Sequence, residues 1–376
     1  MTSTEEIFGE LLKSSLWQAS VSRVPERDEI VGSIKLAKTQ SVLGVVANTI
    51  LSDASLSGLL TDAEKMNLKH FVISNFSTSQ MLNNALIAVV QELREYGIDP
   101  VLLKGQGIAK YYHVPELRQC GDIDIYVGEN HFAKTCEVIG TMSSSEDHEG
   151  DIPSLKHFHT RIGKAFFEIH RYTDVYWPRR LDRIYQKISD EGMKSNLVSL
   201  DFSGVPVSTP SVDFNVFFIF NHFWHHFIAD GVGLRQICDW VLLLHHNYGK
   251  VNLDYLETVL YDMKLMKQWQ VFGNIAVDFL GLPPNEMPFY NDKYKVLSEK
   301  VLKLIMIEGN FGKENLKGYN RPKGYFAGKF YSLSKRVQRN YRVFRLFPRD
   351  AFMHLGKVFC WGIAAVFNDK FRLDED

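Results

Sequence analysis

The chain has 376 residues, more than one hydrophobic core usually organises, so two or three packed units are expected. Hydrophobic residues make up 45% and charged residues 23%, the balance of a soluble globular protein, and an aromatic share of 13% predicts an aromatic-rich core. The formal net charge of −1 excludes a global electrostatic attraction to nucleic acid or an anionic membrane and leaves only local basic segments for such a role.

Met1 to Glu6 is polar and acidic, without the basic and apolar regions of a signal peptide. The most apolar stretch, Phe214 to Ile228, is interrupted by Asn215, Asn221, His222, His225 and His226, which argues against a membrane span. Cys120, Cys136, Cys238 and Cys360 are scattered and form no metal or disulfide framework, which suits a cytoplasmic protein.

In chain order, residues 1–96 read as a helical N-terminal part. Thr61 and Glu64 have the spacing of a capping box, in which hydroxyl and carboxylate satisfy opposite backbone N–H groups. Behind it, Leu82, Leu86, Val89, Val90 and Leu93 recur at helical spacing up to Gly97. Residues 97–208 have a different grammar. Val101-Leu102-Leu103 predicts a short buried strand closed by Lys104-Gly105, and a short helix over Ile108–Tyr112 follows. Asp122 to Val127 alternates with period two, as a half-buried strand does. A helix over Glu129–Ile139, a surface loop over Ser143–Asp151, two strands, His157–Ile162 and Ala165–Tyr172, and the strand-like Val205-Pro206-Val207 follow in this part. Gly163-Lys164 is a two-residue hairpin turn between those strands.

Residues 209–376 read as a mostly helical C-terminal domain. Thr209 is the expected cap of a helix with Pro210 at its first position, and Phe214–Phe227 is apolar nearly all round and should be buried. The segment 317–349 interleaves Lys and Arg with aromatic rings and contains no Asp or Glu. Val337, Tyr341 and Phe344 fall at helical spacing there, which predicts the core face of an amphipathic helix; contact with a polyanion or membrane surface is the alternative. The resulting fold class is α+β, a small mixed sheet flanked by helices.

The chemistry concentrates on the strands. Asp122 and Asp124, two apart, leave the same strand face and repel each other unless a cation lies between them, so without metal the pair should cost stability. Gly105-Gln106-Gly107 is a turn into a helix, where backbone can approach phosphate. Counting outward from Gly163-Lys164 puts His159 opposite Glu168 and His157 opposite His170, so that His157, His159, Arg161, Glu168 and His170 share one polar face.

Four segments carry a family resemblance: Leu103-Lys104-Gly105, the spacing Tyr112…Pro115…Arg118, Gly121-Asp-Ile-Asp-Ile-Tyr-Val127, and Glu168-Ile169-His170. Over residues 76–245 the chain resembles the nucleotidyltransferase superfamily of DNA polymerase β, and within it the uncharacterised nucleotidyltransferase family. The resemblance implies that Asp122 and Asp124 ligate Mg²⁺ (or Mn²⁺), with Glu168 completing the shell and helping to deprotonate an attacking hydroxyl. It implies an NTP, expected to be ATP, whose triphosphate meets Gly105 and Gln106, with Lys104 and Gly107 beside them. Superfamily members usually have Gly-Ser or Gly-Gly at this turn, where Gln106 follows Gly105 here.

Arg118 is the first choice for a further phosphate contact. Arg235 either reaches the cleft or pairs with Asp239 along its own helix. The acceptor is left open between small molecule, sugar, protein and RNA. His222, His225 and His226 read as core histidines. Two alternatives use the same residues: a zinc hydrolase built on His157, His159 and Glu168, and a non-catalytic nucleotide sensor.

Overall fold

The computed structural model describes residues 2–143, 157–310 and 325–358. The loop expected over Ser143–Asp151 and the first part of the basic segment 317–349 lie almost wholly outside them.

The capping box forms as its spacing predicts. Thr61 accepts from the Glu64 N–H while the Glu64 carboxylate accepts from the Thr61 N–H, and the helix Asp62–Glu95 (α5) starts there. Its second half buries Leu82, Leu86, Val89, Val90 and Leu93 along one stripe, and Gly97 ends it at a φ of 71°. That stripe covers one face of a six-stranded mixed sheet.

The strands are Val101–Leu102 (β1), Ile123–Tyr126 (β2), His157–Ile162 (β3), Ala165–His170 (β4), Val198–Phe202 (β5) and Val205–Thr209 (β6). Their order is β3-β4-β2-β1-β6-β5. β2 runs parallel to β4 and antiparallel to β1, β1 runs parallel to β6, and β3–β4 and β5–β6 are antiparallel hairpins. Gly163 takes a φ of 58° at the β3–β4 turn, the positive value a tight hairpin needs at that position. The pleat sends Ile123, Ile125, Phe167, Ile169 and Phe158 to α5 and to the helix Gly128–Met142 (α7). Asp124, Glu168 and His170 alternate with those residues and so face the other way, toward the helix Val212–Ala229 (α9).

The helical remainder shares a second core. Buried side chains from the N-terminal helix Ser3–Trp17 (α1) through α9 to Ala351 form one continuous cluster. Polar bonds fasten its two ends: the Gln40 amide donates to the Ile305 carbonyl at 3.0 Å and accepts from the Leu234 N–H at 3.1 Å. Gly44, at the start of the helix Leu43–Ser52 (α3), lies against the turn Pro115–Leu117 so closely that a Cβ there would stand 2.2 Å from the Leu117 carbonyl oxygen. Gly44→Ala is therefore expected to lower stability by about 1–3 kcal/mol through overpacking against backbone that cannot rotate away. A urea midpoint equal to that of the unaltered protein would show that α3 and this turn separate freely.

Two expectations are corrected. Thr209 belongs to β6, pairs with Val198 and donates its hydroxyl to the Val198 carbonyl at 3.0 Å; Ser211 caps α9 instead, because the strand continues to the residue before Pro210. In the helix Tyr325–Phe344, Val337, Tyr341 and Phe344 are exposed. The helix docks through the opposite side, with Asn340 and Val343 buried and Arg339 paired with Glu308 at 3.0 Å. Buried Glu308 selects the arginine-bearing face over the apolar stripe. None of the described helices is long and apolar enough to cross a membrane.

Candidate active site

The site is assembled by strand register. β2 and β4 pair with Asp124 directly beside Glu168 and Tyr126 beside His170. Adjacent positions on a pleated sheet share a face, so two carboxylates 44 positions apart in sequence come together without any loop having to place them. β3 pairs with β4 as the turn count predicts, His159 opposite Glu168 and His157 opposite His170.

Distances within the cluster are short. His170 Nε2 lies 3.0 Å from Asp124 Oδ1 and 3.4 Å from Glu168 Oε1, and His157 Nδ1 lies 3.1 Å from Glu168 Oε1. One ligand atom from each of Asp124, Glu168 and His170 falls within 4.8 Å of the others. Lys104 Nζ lies 3.1 Å from Asp124 Oδ1 and 3.1 Å from His222 Nε2. Asp124 is 1% exposed, and its second oxygen, Oδ2, has no hydrogen-bond partner. Burial alone would raise the Asp124 carboxyl pKa, but the Lys104 charge and the His170 hydrogen bond outweigh it and hold the carboxyl well below its ordinary range. Asp122 moves the opposite way, pushed up first by the Asp124 charge and then by burial.

The donor set fits a hard divalent cation. Asp124 and Glu168 stand side by side with His170, Asp122 lies two residues upstream and near enough for the Asp124 charge to act on it, and a buried oxygen of Asp124 lacks a protein partner. The ammonium of Lys104 balances part of the negative charge.

Gly105 ends the loop after β1 with a φ of 61°, and Gln106 begins a four-residue helix, Gln106–Ala109. Gly107 is close-packed: a Cβ there would stand 3.3 Å from the Thr209 methyl. The Gln106 side chain is buried, and neither atom of its amide finds a hydrogen-bond partner.

Arg118 is engaged by protein groups. Its Nε and one terminal nitrogen donate to the two oxygens of Asp239 at 3.0 and 2.6 Å, and the other terminal nitrogen meets the Gln119 carbonyl and the Cys120 sulfur. The Tyr112 hydroxyl donates to the same Asp239 at 2.8 Å. Tyr112 and Arg118 thus fasten the segment leading into Asp122 to the helix Leu234–His246 (α10), which carries Asp239. Asp239 is engaged by these two residues and not by an intrahelical pair with Arg235. Arg235 donates one terminal nitrogen to the Gln119 carbonyl at 2.6 Å, while its buried Nε has no hydrogen-bond partner.

Two cavities meet at Lys104, Asp122 and His222. The first, about 380 Å³, is lined by Gly105, Cys120, Asp124, Gln236 and both arginines, Arg118 and Arg235. The second, about 450 Å³, is walled by Glu168, His170, Tyr176, Trp177, His225, His226 and Met353 among others. His222, His225 and His226, expected in the core, all line this second cavity. Their spacing (i, i+3, i+4) was the available signal, since a polar stripe on an otherwise apolar helix must face something other than hydrocarbon. Asp174, which pairs with His225, and Tyr176, which bonds Asn221, lie in a loop without a motif.

A mixed sheet with paired carboxylates beside a glycine turn, roofed by helices, defines a nucleotidyltransferase-type core. The chain belongs to the uncharacterised nucleotidyltransferase family, whose model matches residues 29–281. A comparison with curated proteins returns no match. Among solved structures, the chain is similar to an antigenic nucleotidyltransferase-like protein from Paracoccidioides brasiliensis at 14% identity, over 53% of this chain and 92% of that one, with a TM-score of 0.31.

Proposed function

We propose that this protein transfers a nucleoside monophosphate from an NTP, with ATP the expected donor, to a hydroxyl of an acceptor, releasing pyrophosphate. The observation that carries this reading is the register pairing of Asp124 with Glu168, with Asp122 two residues upstream, at the point where two cavities meet. Asp122, Asp124 and Glu168 would hold Mg²⁺ (or Mn²⁺), which when bound supplies charge neutralisation at the phosphoryl oxygens.

The chain's own groups do the rest. The acceptor oxygen bonds to the α-phosphorus, the bond from that phosphorus to the bridging oxygen breaks, and the acceptor proton passes to Glu168. The 380 Å³ cavity suits the triphosphate, because Gly105 lets backbone approach and Arg235 has an unused donor there. Lys104 reaches both cavities and can follow charge from Asp124 to a phosphate oxygen. Arg118 acts as a brace on the Gly121-Asp122 segment and not as a phosphate ligand, because Asp239 already takes two of its donors. Unpaired Cys120, Cys136 and Cys238 fit a reducing cytoplasm.

Calorimetric titration with a non-hydrolysable NTP tests this reading. Binding is expected with Mg²⁺ and is expected to disappear with chelator; equal affinity in both conditions would contradict it. Arg235→Ala should weaken that binding by about 1–3 kcal/mol, the worth of a charge-assisted hydrogen bond. An unchanged affinity would limit Arg235 to its bond with the Gln119 carbonyl.

A further inference from the structure

The register that pairs Asp124 with Glu168 also builds a second donor set beside it. His157 and His159 are two apart on β3, so their rings leave the same face, with centroids 4.4 Å apart. Glu168 stands directly opposite His159 on β4. One donor atom from each of His157, His159 and Glu168 lies within 4.8 Å of the other two. Ligand atoms each about 2 Å from one tetrahedral zinc ion stand about 3.3 Å apart, so side-chain movements of up to about 1.5 Å would close the set. β3 is an edge strand, and all three residues are only half-buried, which leaves an ion a path from solvent.

From this donor set we infer a transition-metal site at His157, His159 and Glu168, which differs in its imidazole donors from the carboxylate set of Asp122, Asp124 and Glu168 and shares Glu168 with it. Imidazole nitrogens suit Zn²⁺ and its neighbours, whereas Mg²⁺ prefers oxygen ligands. Two imidazoles and one carboxylate leave a fourth, open position on a tetrahedral ion. Because Glu168 belongs to both sets, a zinc ion here withdraws it from the Mg²⁺ site, so Zn²⁺ acts as an inhibitor of nucleotide use. The metal site stands on the donor set itself; only the inhibitory consequence rests on the function proposed above.

Untagged full-length protein, free of nucleotide, is titrated with Zn²⁺ by calorimetry and with Co²⁺ by visible absorption. One equivalent of each is expected, with a tetrahedral Co²⁺ spectrum. His157→Gln and His159→Gln should each weaken binding by more than the roughly 10–100-fold that loss of an outer-shell partner causes. Asp122→Asn, which alters only the carboxylate set, should leave the Zn²⁺ affinity unchanged. If a histidine variant fails to fold, the paramagnetic resonance spectrum of Cu²⁺ in the unaltered protein decides, with two or more imidazole nitrogens expected.

Absence of binding, undiminished affinity in both histidine variants, fewer than two imidazole nitrogens, or loss of binding in Asp122→Asn would each overturn the site. Inhibition is read separately: Zn²⁺ should suppress Mg²⁺-dependent NTP binding in the unaltered protein but not in His159→Gln. If NTP does not bind at all, the proposed function fails while the metal titrations still decide the site.

Discussion

Asp124→Ala and Asp122→Ala are expected to abolish Mg²⁺-dependent NTP turnover alike, yet to shift stability in opposite directions. The sequence alone predicts that either change relieves repulsion in metal-free buffer. The structure retains that expectation for Asp122, whose carboxyl is pushed up by the neighbouring Asp124 charge and by burial, so that ionising it costs free energy in the folded state. For Asp124 the expectation reverses. Its Oδ1 lies 3.1 Å from the Lys104 ammonium and 3.0 Å from His170 Nε2, in a position 1% exposed. Removing it leaves a largely buried ammonium without its nearest counter-charge, a change worth about 3 kcal/mol when a buried pair is broken from one side. Urea melts at neutral pH in the presence of a chelator should show Asp122→Ala at or above the unaltered protein and Asp124→Ala well below it. Two variants melting together would remove Lys104 from the account of the site.

The second large effect lies farther from the chemistry. Arg118→Ala should destabilise the protein by about 3–5 kcal/mol, because the guanidinium it deletes is the fork that satisfies a buried carboxylate, Asp239, also bonded to Tyr112. Burial alone would lower the Arg118 pKa, but the Asp239 charge keeps the side chain firmly protonated. Asp239→Ala should be comparably damaging, since it strands the buried guanidinium. The double variant should lose less than the sum of the two, with a coupling of about 1–3 kcal/mol. Strict additivity would mean that the two side chains do not depend on each other. The effect reaches the site because this pair fixes the segment running from Pro115 to Asp122 against α10.

Four of the six strands were legible because their signals were local and periodic, whereas the β5–β6 hairpin showed only as Val205-Pro206-Val207. The alternation of Asp122 to Val127 marked β2, and one two-residue turn at Gly163-Lys164 fixed the pairing of β3 with β4 residue by residue. Glu168 was assigned to the site through the resemblance carried by Glu168-Ile169-His170, whereas the parallel pairing that sets it beside Asp124 joins strands distant in sequence and left no local signal. What could not be read was which of several chemically equivalent partners each charge would take. Asp239 has Arg235 four residues away along its own helix, but Arg118, 121 positions distant, satisfies both of its oxygens with a planar fork. Likewise Val337, Tyr341 and Phe344 form an apolar stripe at helical spacing, and yet the helix docks through Arg339, Asn340 and Val343. The deciding group, Glu308, lies elsewhere in the chain and is buried. The second cavity was hidden for a related reason: opposite Glu168 and His170 its walls come from α9, the loop around Tyr176 and the helix over 348–358, none of which carries a motif.

On the function proposed above, Asp122, Asp124 and Glu168 hold a divalent metal against an NTP. The most direct measurement is a crystal structure of the full chain with a non-hydrolysable NTP and Mg²⁺. A metal ion ligated by oxygens of Asp122, Asp124 and Glu168 is expected, with the triphosphate in the cavity lined by Gly105 and Arg235. A triphosphate bound elsewhere, or bound here with no metal on Asp122 and Asp124, would contradict it.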